Sequence, residues 1–179
     1  MGGTAQTAQA LYSALSGGQG SAAAATGGAL EPALTDGRSA NEVMDAVVEA
    51  VRPVDGTQDA EASRTSIKDA LSDVLNQFPD ADLLNLQPEQ RELAVERFVA
   101  GDVFRRIDLD IGRTIREKAP NAATGLGRLK EVREYVRETV SASFRRLRET
   151  GQRLAAGRIT QIVQSAIRET FQVFEGYVE

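Results

Sequence analysis

An all-α fold is what this sequence predicts: a helical bundle of about five to six helices behind a flexible or weakly helical N-terminal segment. Three observations carry that expectation. Apolar residues recur at alternating spacings of three and four from Ser39 to Tyr177, and no strand-like alternation of useful length interrupts them. Hydrophobic residues make up 41% of the 179 residues but aromatics only 5%, with no Trp, so the core must be aliphatic, as in helix bundles. Helix punctuation stands where each periodic stretch begins or ends: Ser39, Pro53, Thr57, Pro79, Pro88 and Pro120.

The first 35 residues are rich in Ala, Gly, Ser and Gln and look too small and polar to add much to a core. A weak helix over Ala5–Ser16 places Ala8, Leu11, Tyr12 and Leu15 on one stripe, and Gly17-Gly18-Gln19-Gly20-Ser21 reads as linker. Ala22–Thr26 is low in complexity. The expected division is therefore a flexible segment over 1–35 and a helical bundle domain over 36–179.

Order is expected to begin near Asp36. Ser39-Ala40-Asn41-Glu42 has the form of a capping box, in which the Ser hydroxyl satisfies backbone donors of the first turn and the Glu reaches back. The helix it opens buries Val43, Val47, Ala50 and Val51 and stops before Pro53. Val54-Asp55-Gly56 turns the chain, and Thr57 caps a helix to about Gln77 with Ile67, Ala70, Leu71, Val74, Leu75 and Phe78 inward.

After a turn at Pro79-Asp80, Pro88 opens a helix toward Lys118, at a position where its missing donor costs nothing. Its expected buried set is Leu93, Phe98 or Val99, Phe104, Ile107, Ile111 and Ile115, with a bend at Gly101 or Gly112, each about 1 kcal/mol worse than Ala in a helix. Pro120 ends it. Leu129, Val132, Val136, Val140, Ser143 and Leu147 stripe the next helix, expected to reach about Leu154. Beyond Gly157 the last helix carries Ile159, Ile162, Val163, Ala166, Ile167, Phe171, Phe174 and Tyr177, antiparallel to its predecessor because the connection is short.

The same composition limits the chemistry. The chain contains neither His nor Cys, so disulfides are impossible and the commonest metal ligands, nucleophile and near-neutral acid–base group are missing. No run of ~18 apolar residues is present to span a membrane, and the first residues lack a secretion signal and a full myristoylation motif, since Gln6 stands where Ser or Thr is needed. A cytoplasmic location is the expectation.

Net charge is −5, unevenly spread: residues 1–100 hold 6 basic and 15 acidic side chains, a net of −9, and residues 101–179 hold 15 and 11, a net of +4. The basic set is nearly all Arg, which keeps its charge when partly buried and forks onto carboxylates or phosphates. An acidic half facing a basic half within the chain is the plain account of that split.

Candidate chemical motifs fall short. Asp108-Leu109-Asp110-Ile111-Gly112 starts like a calcium loop, but Gly112 and Ala119 occupy positions that need oxygen ligands. Gly125-Leu126-Gly127-Arg128-Leu129-Lys130 has the wrong spacing for a phosphate loop and no preceding strand. Acidic pairs such as Glu131 and Glu134 sit at helical spacing with no cleft to tune them. No catalytic, metal-binding or cofactor-binding residue is assigned, and a non-enzymatic role is expected.

Arg145, Arg146, Arg148, Arg153 and Arg158 form the main basic cluster, and with Phe174 and Tyr177 they are the partner-binding candidates. A protein-facing or solvated surface is favoured over nucleic acid: the chain is acidic overall, and no aromatics stand between the arginines for base stacking. Glu149 with Arg153 and Asp102 with Arg106 are i,i+4 pairs read as solvating a helix face. The terminal stripe ending Phe171, Phe174, Tyr177 and Val178 is more often core than docking site, yet one that continues to the final residues seals onto a second subunit as easily as onto its own bundle.

Beyond these local readings, one succession of segments is familiar. Leu34-Thr35-Asp36-Gly37-Arg38, Val54-Asp55-Gly56-Thr57-Gln58-Asp59, Phe104-Arg105-Arg106-Ile107-Asp108-Leu109-Asp110-Ile111-Gly112 and Glu169-Thr170-Phe171-Gln172-Val173-Phe174-Glu175 together resemble the QatB family of the Qat anti-phage defence system, over nearly the whole chain. The resemblance implies a four-component bacterial operon: an ATPase (QatA), this subunit, a QueC-like enzyme (QatC) and a TatD-like nuclease (QatD). It implies an adaptor, scaffold or modification substrate for the ATPase and the QueC-like partner; the alternative, drawn from the Arg-rich C-terminal helices and not from the resemblance, is a nucleic-acid sensor. Members of the family begin with a Gly/Pro/Ser-rich arm. Met1–Ala8 resembles the segment that follows it, so Met1 is expected to be an internal start or a truncation point, and the arm's function is not carried over to this chain.

Overall fold

The computed structural model describes residues 2–16, 39–152, 154 and 156–177, and every regular element among them is helical, with no strand. The expectations placed on Gly17–Ser21, Ala22–Thr26 and Asp36 lie outside the described residues. Two compact units divide the chain, Met1–Phe98 and Val99–Glu179.

The first unit is built from α1 (Gly2–Leu15), α2 (Ala40–Val51), α3 (Gln58–Gln77) and the first half of α4 (Pro88–Ile107). Local chemistry sets the boundaries. Ser39 and Glu42 close a reciprocal capping box, the Ser39 backbone N–H donating to Glu42 Oε2 at 2.8 Å. The Thr57 hydroxyl accepts from the Ala60 N–H at 3.1 Å, while Thr57 itself is held by Asp55 Oδ1, which takes its backbone N–H at 2.9 Å and its hydroxyl at 2.6 Å. Those two bonds stabilise the ionised form, so the Asp55 carboxyl titrates below its ordinary value. Gly56, at φ +76°, makes the turn that lets Asp55 reach forward.

α1 overturns the expectation that the N-terminal helix adds little to a core. Ala5, Ala8, Leu11 and Leu15 are buried, and α1 packs on both α2 and α3. Thr4 and Thr7 are buried beside them. Small residues do this because they allow backbones to approach closely, while the two leucines supply the apolar area. α2 contributes Val43, Met44, Val47, Val48 and Val51, and α3 contributes Ala60, Ser63, Ser66, Ile67, Ala70, Leu71 and Val74. Ala50, Leu75 and Phe78, expected inside, are half-buried. Ion pairs from Lys68 to Asp45 and from Arg64 to Glu49, both 2.8 Å, tie α3 to α2 at the surface.

The second unit begins within α4 at Val99. α4 passes without a break into a π-helical turn at Asp108–Gly112 and then α5 (Arg113–Glu117), so the described residues form six helical runs. Where the glycines lead one to expect a bend, Gly101 lies within regular α-helix and Gly112 closes the π turn. Asp108 folds over Gly112 to meet Arg116 Nη1 at 3.0 Å, and a Cβ at residue 112 would lie 1.9 Å from Asp108 Oδ1. Asp102 corrects a second expectation: its side chain is 0% exposed and accepts from Arg106 Nε at 3.1 Å, so this pair is largely buried and does not solvate the helix face.

α6 (Ala122–Glu149) and α7 (Ala156–Phe174) form an antiparallel hairpin, followed by a 3₁₀ turn at Glu175–Tyr177. Asn121 caps α6 by accepting from the Thr124 N–H at 2.8 Å. Gly125 packs close to α5, where a Cβ would stand 3.3 Å from Arg116 Cα. The buried stripe of α6 is Leu129, Val132, Val136, Val140, Phe144 and Leu147, with Phe144 and not Ser143 inside. α6 stops at Glu149, earlier than expected, because Gly151 takes φ +62° and closes a Schellman motif: the Gln152 N–H donates to Leu147 O and the Gly151 N–H to Arg148 O, both at 3.1 Å. Gly157 lies inside α7 and is not the break.

Candidate functional site

The Schellman turn determines where the arginines stand. It reverses the chain within a few residues, so the last turn of α6 faces the first turns of α7. Between them lies a depression of about 350 Å³ rimmed by Arg146, Gln152, Arg158 and Gln161. Leu147 and Ile162, both buried, give it an apolar floor, and three hydroxyl residues complete the lining.

Arg158 is held in place by neutral acceptors. Its Nη2 donates to Gln152 Oε1 at 2.7 Å and its Nη1 to Gln161 Oε1 at 3.1 Å. Amide oxygens orient a guanidinium without neutralising it, and no described carboxylate forms an ion pair with Arg158. Arg146 is exposed and likewise has no described carboxylate partner. Two positive charges therefore border one pocket, the arrangement that suits an anion.

The other arginines of the cluster fall elsewhere. Arg145 and Arg148 are exposed on α6 outside the pocket lining, and Arg148 has a polar partner of its own. Arg153 lies outside the described residues. Sequence reasoning misses Gln152 and Gln161, although Gln161 stands three residues after Arg158 on one helical face. Gln152 carries no signal, since the turn that brings it to Arg158 is set by Gly151.

Phe174 and Tyr177 occupy a different place, against the N-terminal half of α6. Phe174 is buried and meets the Tyr135 ring edge-on, with centroids 5.4 Å apart at 83°. Tyr177 is half-buried, packs on Phe174 at 5.3 Å, and lies under Arg128, whose Cζ is 4.8 Å from the ring centroid. Its hydroxyl donates to Glu131 Oε2 at 2.5 Å. That hydrogen bond, then loss of solvent and the Glu131 charge, push the phenol above its ordinary range, against the lowering effect of Arg128.

Among the described residues no three acidic side chains gather as a metal cluster would require, and no helix is long and apolar enough to cross a membrane. Asp108, first of the calcium-like run, is engaged with Arg116.

Fold and surface together define a class: an all-α protein of helical hairpins that carries an arginine-rimmed pocket with an apolar floor. Within that class the chain belongs to the QatB family, described as Qat anti-phage system associated protein QatB, whose family model matches residues 1–174. It is a protein of the Qat anti-phage system. The likeness seen in its sequence segments thus holds at the level of the family. No curated protein and no solved structure matches the chain.

Proposed function

We propose that this chain is a non-enzymatic adaptor of the Qat system, which docks through its helical surface onto the ATPase or the QueC-like component that the family resemblance implies. The observation that carries the reading is the pair Arg146 and Arg158, two guanidiniums without described carboxylate partners on the rim of one pocket. Surface arginines left in that state are what recognition of another macromolecule uses. The absence of His and Cys from the sequence supports a subunit that binds rather than reacts. Serving as the substrate of the QueC-like enzyme is compatible with the same docking, and the proposal places all of it in the cytoplasm.

Mixing the purified chain with each Qat component and following co-elution tests the reading. Co-elution with the ATPase or the QueC-like protein is the expected result, and separate elution from both contradicts it. The rival reading is a nucleic-acid sensor, favoured by the exposure of Arg145 and Arg146 on one end of α6. Filter binding of DNA and RNA across a salt series decides it: a steep slope that flattens in Arg145→Glu and Arg146→Glu belongs to the sensor alone.

A further inference from the structure

We infer that the pocket between Arg146 and Arg158 is the docking site for an acidic peptide segment, one presenting carboxylates beside an aliphatic side chain. The inference rests on the adaptor reading and specifies the chemistry of its partner. Charge is the first argument. Arg158 is fixed by Gln152 Oε1 at 2.7 Å and Gln161 Oε1 at 3.1 Å, acceptors that aim it and leave its charge uncompensated. Arg146 borders the same pocket without a described carboxylate. A carboxylate is the planar, doubly accepting anion that a guanidinium fork matches.

The floor is the second argument. Leu147 and Ile162, both buried, line the same pocket as the two arginines, so an occupant gains by placing an aliphatic group beside its carboxylates. A volume of about 350 Å³ takes one or two side chains. No aromatic residue lines the pocket, so it offers a nucleobase nothing to stack on.

An NMR titration of the ¹⁵N-labelled full chain tests this at about 0.15 M salt, where long-range attraction is screened. The probes are a peptide alternating Glu and Leu, its Gln–Leu counterpart, inorganic phosphate and a deoxythymidine decamer. The expected result is saturable shifts in the side-chain Nε–H signals of Arg146 and Arg158 with the acidic peptide, absent with the Gln peptide and weaker with phosphate and the decamer. Arg146→Ala and Arg158→Ala should each weaken binding by about tenfold or more, and Arg158→Lys should not restore it because it lacks the fork. Arg137→Ala, an exposed α6 site outside the pocket, should leave binding unchanged.

Equal response to the Gln peptide, tighter binding of the decamer, or equal losses from Arg137→Ala and Arg146→Ala overturns the assignment. If the peptide fails while co-elution with a Qat component persists, the pocket is excluded and the adaptor reading stands. If the peptide binds as described while co-elution fails, the adaptor reading falls and the pocket remains an acidic-peptide site.

Discussion

The Tyr177 hydroxyl donates to Glu131 Oε2 across 46 residues of sequence, pinning the C-terminal 3₁₀ turn to the first half of α6. The neutral phenol makes this bond; its ionised form would place two negative charges together. Folding therefore raises the Tyr177 pKa above its unfolded value of 10.0. By linkage the contribution is fully present below about pH 10 and is lost as pH rises through the folded value. Alkaline absorbance titration should show a phenol ionising above the ordinary range, and Tyr177→Phe should remove it. Below pH 9 the same substitution should lower stability by about 1 kcal/mol, the net worth of one such bond.

Gly151 and Gly127 make opposite predictions for the same change. A Cβ at either position meets nothing within 4 Å, so only backbone preference decides. Gly151 sits at φ +62° as the left-handed residue of the Schellman motif, and Gly151→Ala should cost about 1–2 kcal/mol. Gly127 is helical, and Gly127→Ala should stabilise by about 0.5–1 kcal/mol. Thermal or urea unfolding of both variants checks the sign, and loss of stability in each would refute the backbone account.

The π turn makes a coupled prediction. Gly112→Ala displaces Asp108 and breaks its contact with Arg116, but in an Asp108→Ala background the same change meets no such obstacle. The double-mutant cycle should return a coupling of about 1 kcal/mol or more, with Gly112→Ala neutral or stabilising only in the second background. Additive effects from urea unfolding would show that Asp108 does not depend on that glycine.

Phe144→Ala should cost about 3–5 kcal/mol, because the ring is 1% exposed and nothing nearby replaces it. Ser143→Ala should change stability little, since the half-buried Ser143 hydroxyl only bonds back to Thr139 O. Chemical denaturation of the two variants distinguishes the observed register from one with Ser143 inside.

These residues also show which features of the molecule the amino-acid sequence makes legible by itself. Caps at Ser39 and Thr57 are readable because capping uses side chains within three residues of the bond they satisfy. Inward stripes are readable at most positions, but Ala50, Leu75, Phe78, Leu93, Phe104 and Ile111 lie only half-buried at stripe edges, and the stripe of α6 drifts by one residue at Ser143, where a helix of 3.6 residues per turn allows either position. The core role of α1 is hidden because Ala and Thr reveal their value only against a partner that comes close. Burial of Asp102 is hidden because i,i+4 spacing reports the pair and not its surroundings. The arginines of the candidate site are visible as a cluster. Their division into pocket and open surface depends on the Schellman turn, and nothing local to the sequence marks Gly151, rather than the later Gly157, as its left-handed residue.

Recognition of another Qat component by the end of the α6–α7 hairpin is the central claim, and hydrogen exchange tests it most directly. Amide exchange should be measured on the chain alone and with saturating ATPase or QueC-like protein. The account predicts slowed exchange concentrated between residues 143 and 165 with one of them, and unchanged protection along α1 to α3. Exchange unaltered in that segment with both components would contradict it.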